Sequence, residues 1–380
     1  MDIVNEAIGF AGYIPPFLFV LTIVVFFHEL GHFLVARACG VGVVTFSIGF
    51  GPELFGWNDR TGTRWRVAAI PLGGYVKFVG DETAASTPDR AALADMSAAD
   101  RDRSFQTKSV GARAAIVAAG PLANFALAIV IFSGLFMTSG RLDIAPIVGE
   151  VTAGGVAEAA DIRPGDTIVS IEGQPIETFM DIMRVVSERA GQPTALVVER
   201  GGRALDKTVT PRLIEEHSRF GVQRRGLLGI RASADPADRR LHRFAPHEAV
   251  VAGVSETWFV VARTAGYLGG LVTGRESIDQ LGGPLRVAQI SGEVAGHGLS
   301  ALINLAAVLS ISIGLLNLFP VPMLDGGHLV FYAAEAIRGR PLSERAQDIG
   351  FRIGLALILM LVLVSSWNDI AHLAALRRGG

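Results

Sequence analysis

The residue types best suited to chemistry in this sequence are the two histidines and the glutamate of His28-Glu29-Leu30-Gly31-His32. On a helix, residues four apart share one face, so both imidazoles can reach a single metal ion. The glutamate between them is then placed to take a proton from an attacking water. This spacing is typical of zinc-dependent peptidases. The alternative is a hydrogen-bonded pair of histidines without a metal, since short motifs also occur by chance.

The motif directly follows a charge-free apolar run, residues 7–27. Ionisable side chains at the depth of a bilayer are costly and usually functional. Half of the residues are hydrophobic, 18% are charged and the mean hydropathy is +0.42, which indicates a membrane protein with a soluble portion. The formal net charge of −2 predicts no nucleic-acid partner. Because Cys39 is the only cysteine, an intrachain disulfide and a cysteine-rich zinc site are excluded.

Four segments are apolar enough to cross a bilayer: residues 15–38, 114–139, 299–324 and 353–367. The first is expected to be retained as a span, because its flanks lack the features of a cleaved signal peptide. Residues 40–112 are rich in Lys and Arg, whereas the tail before the first span has neither. The positive-inside rule then predicts a periplasmic N-terminus and a cytoplasmic loop 40–112. The pair Arg377-Arg378 argues the other way, but early segments usually dominate.

The segments between the spans suggest three further elements. Residues 63–79 combine turn residues with short β-prone runs and predict a hairpin or bent sheet, either an ordinary cytoplasmic one or a re-entrant one beside the site. Residues 142–215 alternate short strands with turns and predict a small external domain. Residues 216–298 are expected to hold a linker and an interfacial helix, because the apolar stretch 245–273 is interrupted by Glu256 and Arg263.

A catalytic zinc takes three protein ligands, so a third is needed beside His28 and His32. Asp325 is the best candidate, since it follows the third span in a stretch broken by two prolines and two glycines. His328 competes with it as a ligand. The remaining alternative is that Asp325 only terminates a helix.

Several spaced motifs together carry a family resemblance. HELGHFLVARACGV, FSIGFGP, PLGGYVKFVG, AAGPLANF and NLFPVPMLDGGH occur in this order. They resemble the site-2 protease family of intramembrane zinc proteases, and within it the bacterial regulator-of-sigma-E protease branch. The resemblance implies one Zn²⁺ ion held by His28, His32 and Asp325, with Glu29 as the catalytic acid and base.

The same resemblance implies further site residues and a second domain. The residues expected to hold or adjoin the substrate are Gly74, Tyr75, Gly120, Asn124, Asn317, Pro320 and Pro322. The segment RPGDTIVSIEGQPI makes the external region similar to a PDZ domain, which would either bind peptide or act as a steric gate. Members of this branch carry two such domains, and here the second is absent or reduced to residues 226–230.

The sequence therefore predicts a polytopic α-helical membrane protein with about four transmembrane helices. Its protease core would comprise residues 1–140, which include the cytoplasmic-side β-hairpin 63–79, and residues 299–380. One periplasmic PDZ-like α/β domain at 142–215 would lie between these two halves, followed by the linker and interfacial helix. The resemblance implies a zinc metalloendopeptidase of the bacterial inner membrane that cleaves single-pass membrane proteins. Anti-sigma-factor-like proteins and remnant signal peptides are the expected substrates. The alternatives are a non-catalytic PDZ-bearing scaffold or chaperone, and a metal transporter, which would need ionisable residues in several spans.

Overall fold

The computed structural model describes residues 12–81, 96–218, 221–274 and 282–378. The helices of this part of the chain are α1 Ile14–Ala38, α2 Ala98–Arg103, α3 Val110–Thr138, α4 Val156–Ala159, α5 Phe179–Glu188, α6 Pro246–Val272, α7 Pro284–Ala295, α8 Leu299–Asn317, α9 Asp325–Arg338 and α10 Glu344–Arg378. The strands are β1 Val43–Asn58, β2 Arg64–Phe78, β3 Arg141–Ile144, β4 Val148–Val151, β5 Thr167–Ile171, β6 Gln174–Pro175, β7 Thr194–Arg200, β8 Arg203–Val209, β9 Arg212–Ser218, β10 Gly221–Leu227, β11 Ile230–Ala232 and β12 Arg239–His242. They form two compact units, one of residues 136–245 and one of the described chain before and after that range.

Four helices of the described chain are long and apolar enough to cross a membrane: α1, α3, α8 and residues 345–371 of α10. The four predicted spans are confirmed, but the bounds of two of them were wrong. The third ends at Asn317 instead of residue 324. The helix ends there because Pro320 follows. In a continued helix the proline ring would clash with the carbonyl group four residues earlier, and its nitrogen has no hydrogen to donate. The fourth helix extends well beyond 353–367 at both ends.

The sheet beside α1 is formed by β1 and β2. The first half of β1 lies between two parts of β2, because Phe46 is paired with Trp65 on one side and with Val76 on the other. The expectation of a hairpin within residues 63–79 was therefore wrong. These residues pair with a separate strand, residues 43–58, and not with each other. Gly49 and Gly51, both with positive φ (89° and 85°), allow β1 to bend between its two halves.

The unit of residues 136–245 is built on a four-stranded antiparallel sheet of order β6-β5-β7-β8. Helix α5 packs on it through Ile182 and Val186, and a capping box of Thr178 and Asp181 begins that helix. The core also contains Leu228, and β11 pairs with β4. The expected domain end at residue 215 is thus corrected, since strands of the same unit continue to His242.

The stretch 226–230 belongs to this unit, because Leu228 lies in its core and Ile230 pairs with Val151 of β4. The likeness of the unit to a PDZ domain stays a prediction. Helix α6 runs unbroken through Glu256 and Arg263, and it is not among the four candidate spans. Its position at the membrane surface likewise stays a prediction.

Candidate active site

The histidines of the motif lie on α1, at its contact with α3. A Cβ atom at Gly31 would be only 2.3 Å from the carbonyl oxygen of Ala119, so the two helices approach backbone to backbone at this point. On the facing helix, a Cβ at Gly120 would be 2.2 Å from Nε2 of His32 and 2.9 Å from Cε1 of His28. Glycine at both positions therefore makes room for the two imidazoles between the helices.

Three side chains converge at this contact: His28, His32 and Asp325. The Nε2 atoms of the two histidines are 3.3 Å apart. Oδ2 of Asp325 is 3.3 Å from Nε2 of His28 and 3.6 Å from Nε2 of His32. These potential ligand atoms all lie within 4.8 Å of one another, although the aspartate belongs to α9, far along the chain.

The hydrogen bonds around the cluster fit a metal ion at its centre. Nδ1 of His32 is 2.9 Å from the carbonyl oxygen of Ile116, which can only accept, so Nδ1 carries the proton and Nε2 a lone pair. Oδ2 of Asp325 is buried and has no hydrogen-bond partner in the described chain. The imidazole nitrogen and the carboxylate oxygen thus face each other with lone pairs and no proton between them, an arrangement that a cation would stabilise. Imidazole together with carboxylate is a typical set of ligands for catalytic zinc.

Asn124 and Asn317 adjoin His28 from two different helices. Nδ2 of Asn124, a fully buried residue of α3, is 3.4 Å from Nδ1 of His28. Nδ2 of Asn317, the last residue of α8, is 3.4 Å from Nε2 of His28. Oγ of Ser310 also donates to the backbone carbonyl of Asn124, which links α8 to α3. The structure thus brings both predicted asparagines to the cluster of potential metal ligands.

Glu29 lies on α1, and its side chain faces the part of β2 around Gly74. The backbone N–H of Val76 donates a hydrogen bond to its carboxylate. A Cβ at Gly74 would be 3.1 Å from Cγ of Glu29 and 2.8 Å from Cγ1 of Val25, so glycine permits the strand to lie close to the helix. The carboxylate is consequently held on the strand side of the ligand cluster.

The remaining predicted residues lie further from the ligands. The ring of Tyr75 stacks on Phe50, with centroids 6.0 Å apart, and none of its described ring contacts involves a metal ligand. Pro320 is exposed and Pro322 packs against α10. His328 is surrounded by aromatic rings of α9 and α10, and it is not part of the converging group, so the geometry favours Asp325 over it as third ligand.

Sequence reasoning missed the backbone groups that complete the site, the carbonyl of Ile116 and the N–H of Val76. Such groups carry no side-chain signal. The only available hint was glycine in the motif itself, since Gly31 marks the close approach that brings α3 to the histidines.

Four apolar membrane-length helices and a cluster of two histidines and an aspartate beside a glutamate define a multi-pass membrane metalloprotease. The sequence matches Peptidase family M50 over residues 16–361. It is 52% identical over 375 residues to a candidate zinc metalloprotease of Agrobacterium fabrum, covering 98% of this chain and 100% of the relative. It is 43% identical over 386 residues to the metalloprotease MmpA of Caulobacter vibrioides, covering 96% of each. The chain belongs to peptidase family M50, the site-2 protease family, and is a zinc metalloprotease.

Proposed function

We propose that this protease hydrolyses peptide bonds in or beside the transmembrane segments of single-pass membrane proteins. The observation that carries the proposal is that potential ligand atoms of His28, His32 and Asp325 lie within 4.8 Å of one another, with both histidines on a helix apolar enough to span the bilayer. A hydrolytic site on such a helix suits a substrate that is itself embedded. Anti-sigma-factor-like proteins and remnant signal peptides are the substrate classes that the family resemblance suggests.

The proposed chemistry assigns one role to each side chain. His28, His32 and Asp325 hold the zinc ion, which when bound polarises the scissile carbonyl and lowers the pKa of the attacking water. Glu29 takes the proton of that water and delivers it to the leaving amine. The hydrogen bond from the Val76 N–H orients the Glu29 carboxylate for both transfers.

The substrate must be extended where it is cut, because a helix engages its carbonyl groups in its own hydrogen bonds. Residues 74–78 of β2 pair, among the described strands, only with β1. Because the Val76 N–H bonds Glu29, the other edge of this segment faces the site. We propose that the substrate adds to that edge as a further strand and that Asn317 contacts it from α8.

The proposed topology has a periplasmic N-terminus in a bacterial inner membrane, with the unit of residues 136–245 also periplasmic. The basic residues of the loop 40–112 support it, although Arg90 and the tail before residue 12 lie outside the described residues. In this position the unit would meet the external part of a substrate first. It would act there as a PDZ-like peptide binder or as a steric gate.

The deciding experiment is the substitution Glu29→Gln, measured as cleavage of a membrane-embedded reporter together with zinc content. The amide keeps the shape of the side chain but cannot accept the proton, so turnover should fall by about 10²- to 10⁴-fold with zinc retained. Glu293→Gln on α7, a carboxylate outside the ligand cluster, is the control. Turnover that persists in Glu29→Gln contradicts the assignment of the base.

A further inference from the structure

The loop between α8 and α9, residues 318–324, folds back tightly over the first turn of α9. A Cβ atom at Gly326 or at Gly327 would lie 2.2–2.4 Å from carbonyl oxygens of this loop. Only glycine permits so close an approach of backbone to backbone. Asp325 is the first residue of α9, so the position of the loop determines where its carboxylate lies.

The opposite side of the same loop rests on α10. A Cβ at Gly354 would be 2.0 Å from the carbonyl oxygen of Pro322 and 3.0 Å from its Cβ. One turn earlier, a Cβ at Gly350 would be 3.6 Å from Cγ of Pro322 and 2.9 Å from the tip of the Phe331 ring. The last span thus receives Pro322 on a surface formed by two glycines, although it supplies no metal ligand in the described chain.

The backbone of this loop has an unfavourable conformation at Met323. Met323 has a φ of 83°, in the left-handed region that side chains other than glycine rarely adopt. Such a conformation persists only where the surroundings enforce it. Met323 lies between the proline that rests on α10 and the aspartate that faces the histidines.

Helix α10 is also fixed at a second point. The buried carboxylate of Asp369 accepts hydrogen bonds of 2.9 and 3.1 Å from the backbone N–H groups of Gly283 and Leu285, at the beginning of α7. Since α7 also contacts α1, this anchor ties α10 to the helix that carries the histidines. A methyl group at residue 354 would therefore displace the loop in preference to the helix.

We propose that Gly354 is a positioning residue of the metal centre. It lets Pro322 lie against α10 and thereby sets Asp325 at the right distance from His28 and His32. The inference rests on the proposed role of Asp325 as the third ligand. Gly354 itself touches neither metal ligand nor substrate and acts through the loop.

The test uses the full-length protein in detergent and the substitution Gly354→Ala. Zinc affinity is measured by competition with a chelator, and ligand geometry by the visible absorption spectrum after replacement of zinc by Co²⁺. We expect zinc binding weakened by about tenfold or more and a changed cobalt spectrum. The control is Gly134→Ala on α3, where an added Cβ meets nothing within 4 Å. Thermal unfolding of the metal-free protein verifies that both variants are folded at the temperature of the measurements.

A zinc affinity and a cobalt spectrum equal to those of Gly134→Ala would overturn the proposal. If Gly354→Ala does not accumulate in cells, Gly350→Ala is tested by the same two measurements. The expected loss of zinc affinity is smaller there, because the added Cβ meets mainly the end of the Phe331 side chain. Asp325→Ala separates the two hypotheses. If Asp325→Ala keeps full zinc affinity, Asp325 is not a ligand, and the proposed role of Gly354 is refuted with it. If Asp325→Ala loses zinc affinity but Gly354→Ala does not, only the positioning role of Gly354 is refuted.

Discussion

At the scale of single residues, α3 determines which nitrogen of each histidine is available to a metal. The carbonyl of Ile116 fixes the proton of His32 on Nδ1. Oδ1 of Asn124 is buried without a partner in the described chain, while its Nδ2 is 3.4 Å from Nδ1 of His28. Turning this amide by half a turn exchanges two atoms of similar size and lets Oδ1 accept the Nδ1–H of His28. Both Nε2 atoms then carry a lone pair that can bind zinc.

Gly120 gives the sharpest residue-scale prediction. An added methyl at this position would lie 2.2 Å from Nε2 of His32, in the space that the lone pair of this ligand needs. Gly120→Ala should therefore weaken zinc binding by about 10- to 100-fold, measured by metal content after dialysis against a chelator. Gly134→Ala on the same helix should keep its zinc. Equal metal content in the two variants would show that the imidazoles do not need this space.

At the scale of elements, the spans and the polar residues within them could be predicted, and the strand partners could not. His28, Glu29 and Asp325 are conspicuous because ionisable groups are rare in or beside apolar segments. Residues 43–58 pair with β2 through a strand that bends between its two halves, and β11 pairs with β4, which lies far from it along the chain. Local patterns describe one strand at a time and do not specify its partner.

The edge of β2 carries the element-scale prediction. A Cβ at Gly74 would be 2.8 Å from Cγ1 of Val25 and 3.1 Å from Cγ of Glu29, so an added methyl group would push the strand away from α1 and displace the edge proposed for the substrate. In Gly74→Ala, cleavage of the membrane reporter should drop by about tenfold or more while zinc content stays normal. Val44→Ala, at a half-exposed position of β1, controls for general disturbance of the sheet. Cleavage at the level of that control would argue against strand addition at this edge.

At the scale of the whole molecule, the candidate metal centre joins segments that are far apart along the chain. Its potential ligands come from α1 and α9, and α1 also contacts α7 and α8. The site therefore exists only when these helices are packed together. Zinc, which binds the folded arrangement and not the separated helices, should stabilise that packing in proportion to its affinity. The unit of residues 136–245 has a hydrophobic core of its own, and its stability depends on different groups.

One of those groups makes the stability of this unit depend on pH. The carboxylate of Asp166 is 1% exposed and accepts hydrogen bonds of 2.6 and 2.8 Å from Nε and Nη2 of Arg200. Burial opposes its ionisation, but these bonds and one from the backbone N–H of Arg163 outweigh it and lower the pKa of Asp166. A carboxyl group whose pKa is lowered in the folded state stabilises the fold at any pH above its pKa in the unfolded chain, which is about 4. This stabilisation is lost as the pH falls through the pKa of the folded state.

Hydrogen exchange in the full-length protein, corrected for intrinsic rates, can follow this effect in residues 136–245. Protection should decrease in the wild type as the pH falls below about 4. Asp166→Asn removes the ionisable group, so protection at neutral pH should be lower by roughly 2 kcal/mol and should change less with acid. The exposed residue Asp206 provides the control, since Asp206→Asn should alter protection by no more than about 0.5 kcal/mol. An acid response in Asp166→Asn as steep as that of the wild type would assign the effect to other carboxylates, such as Asp161, whose hydrogen bonds from Arg163, Lys207 and Arg200 also lower its pKa.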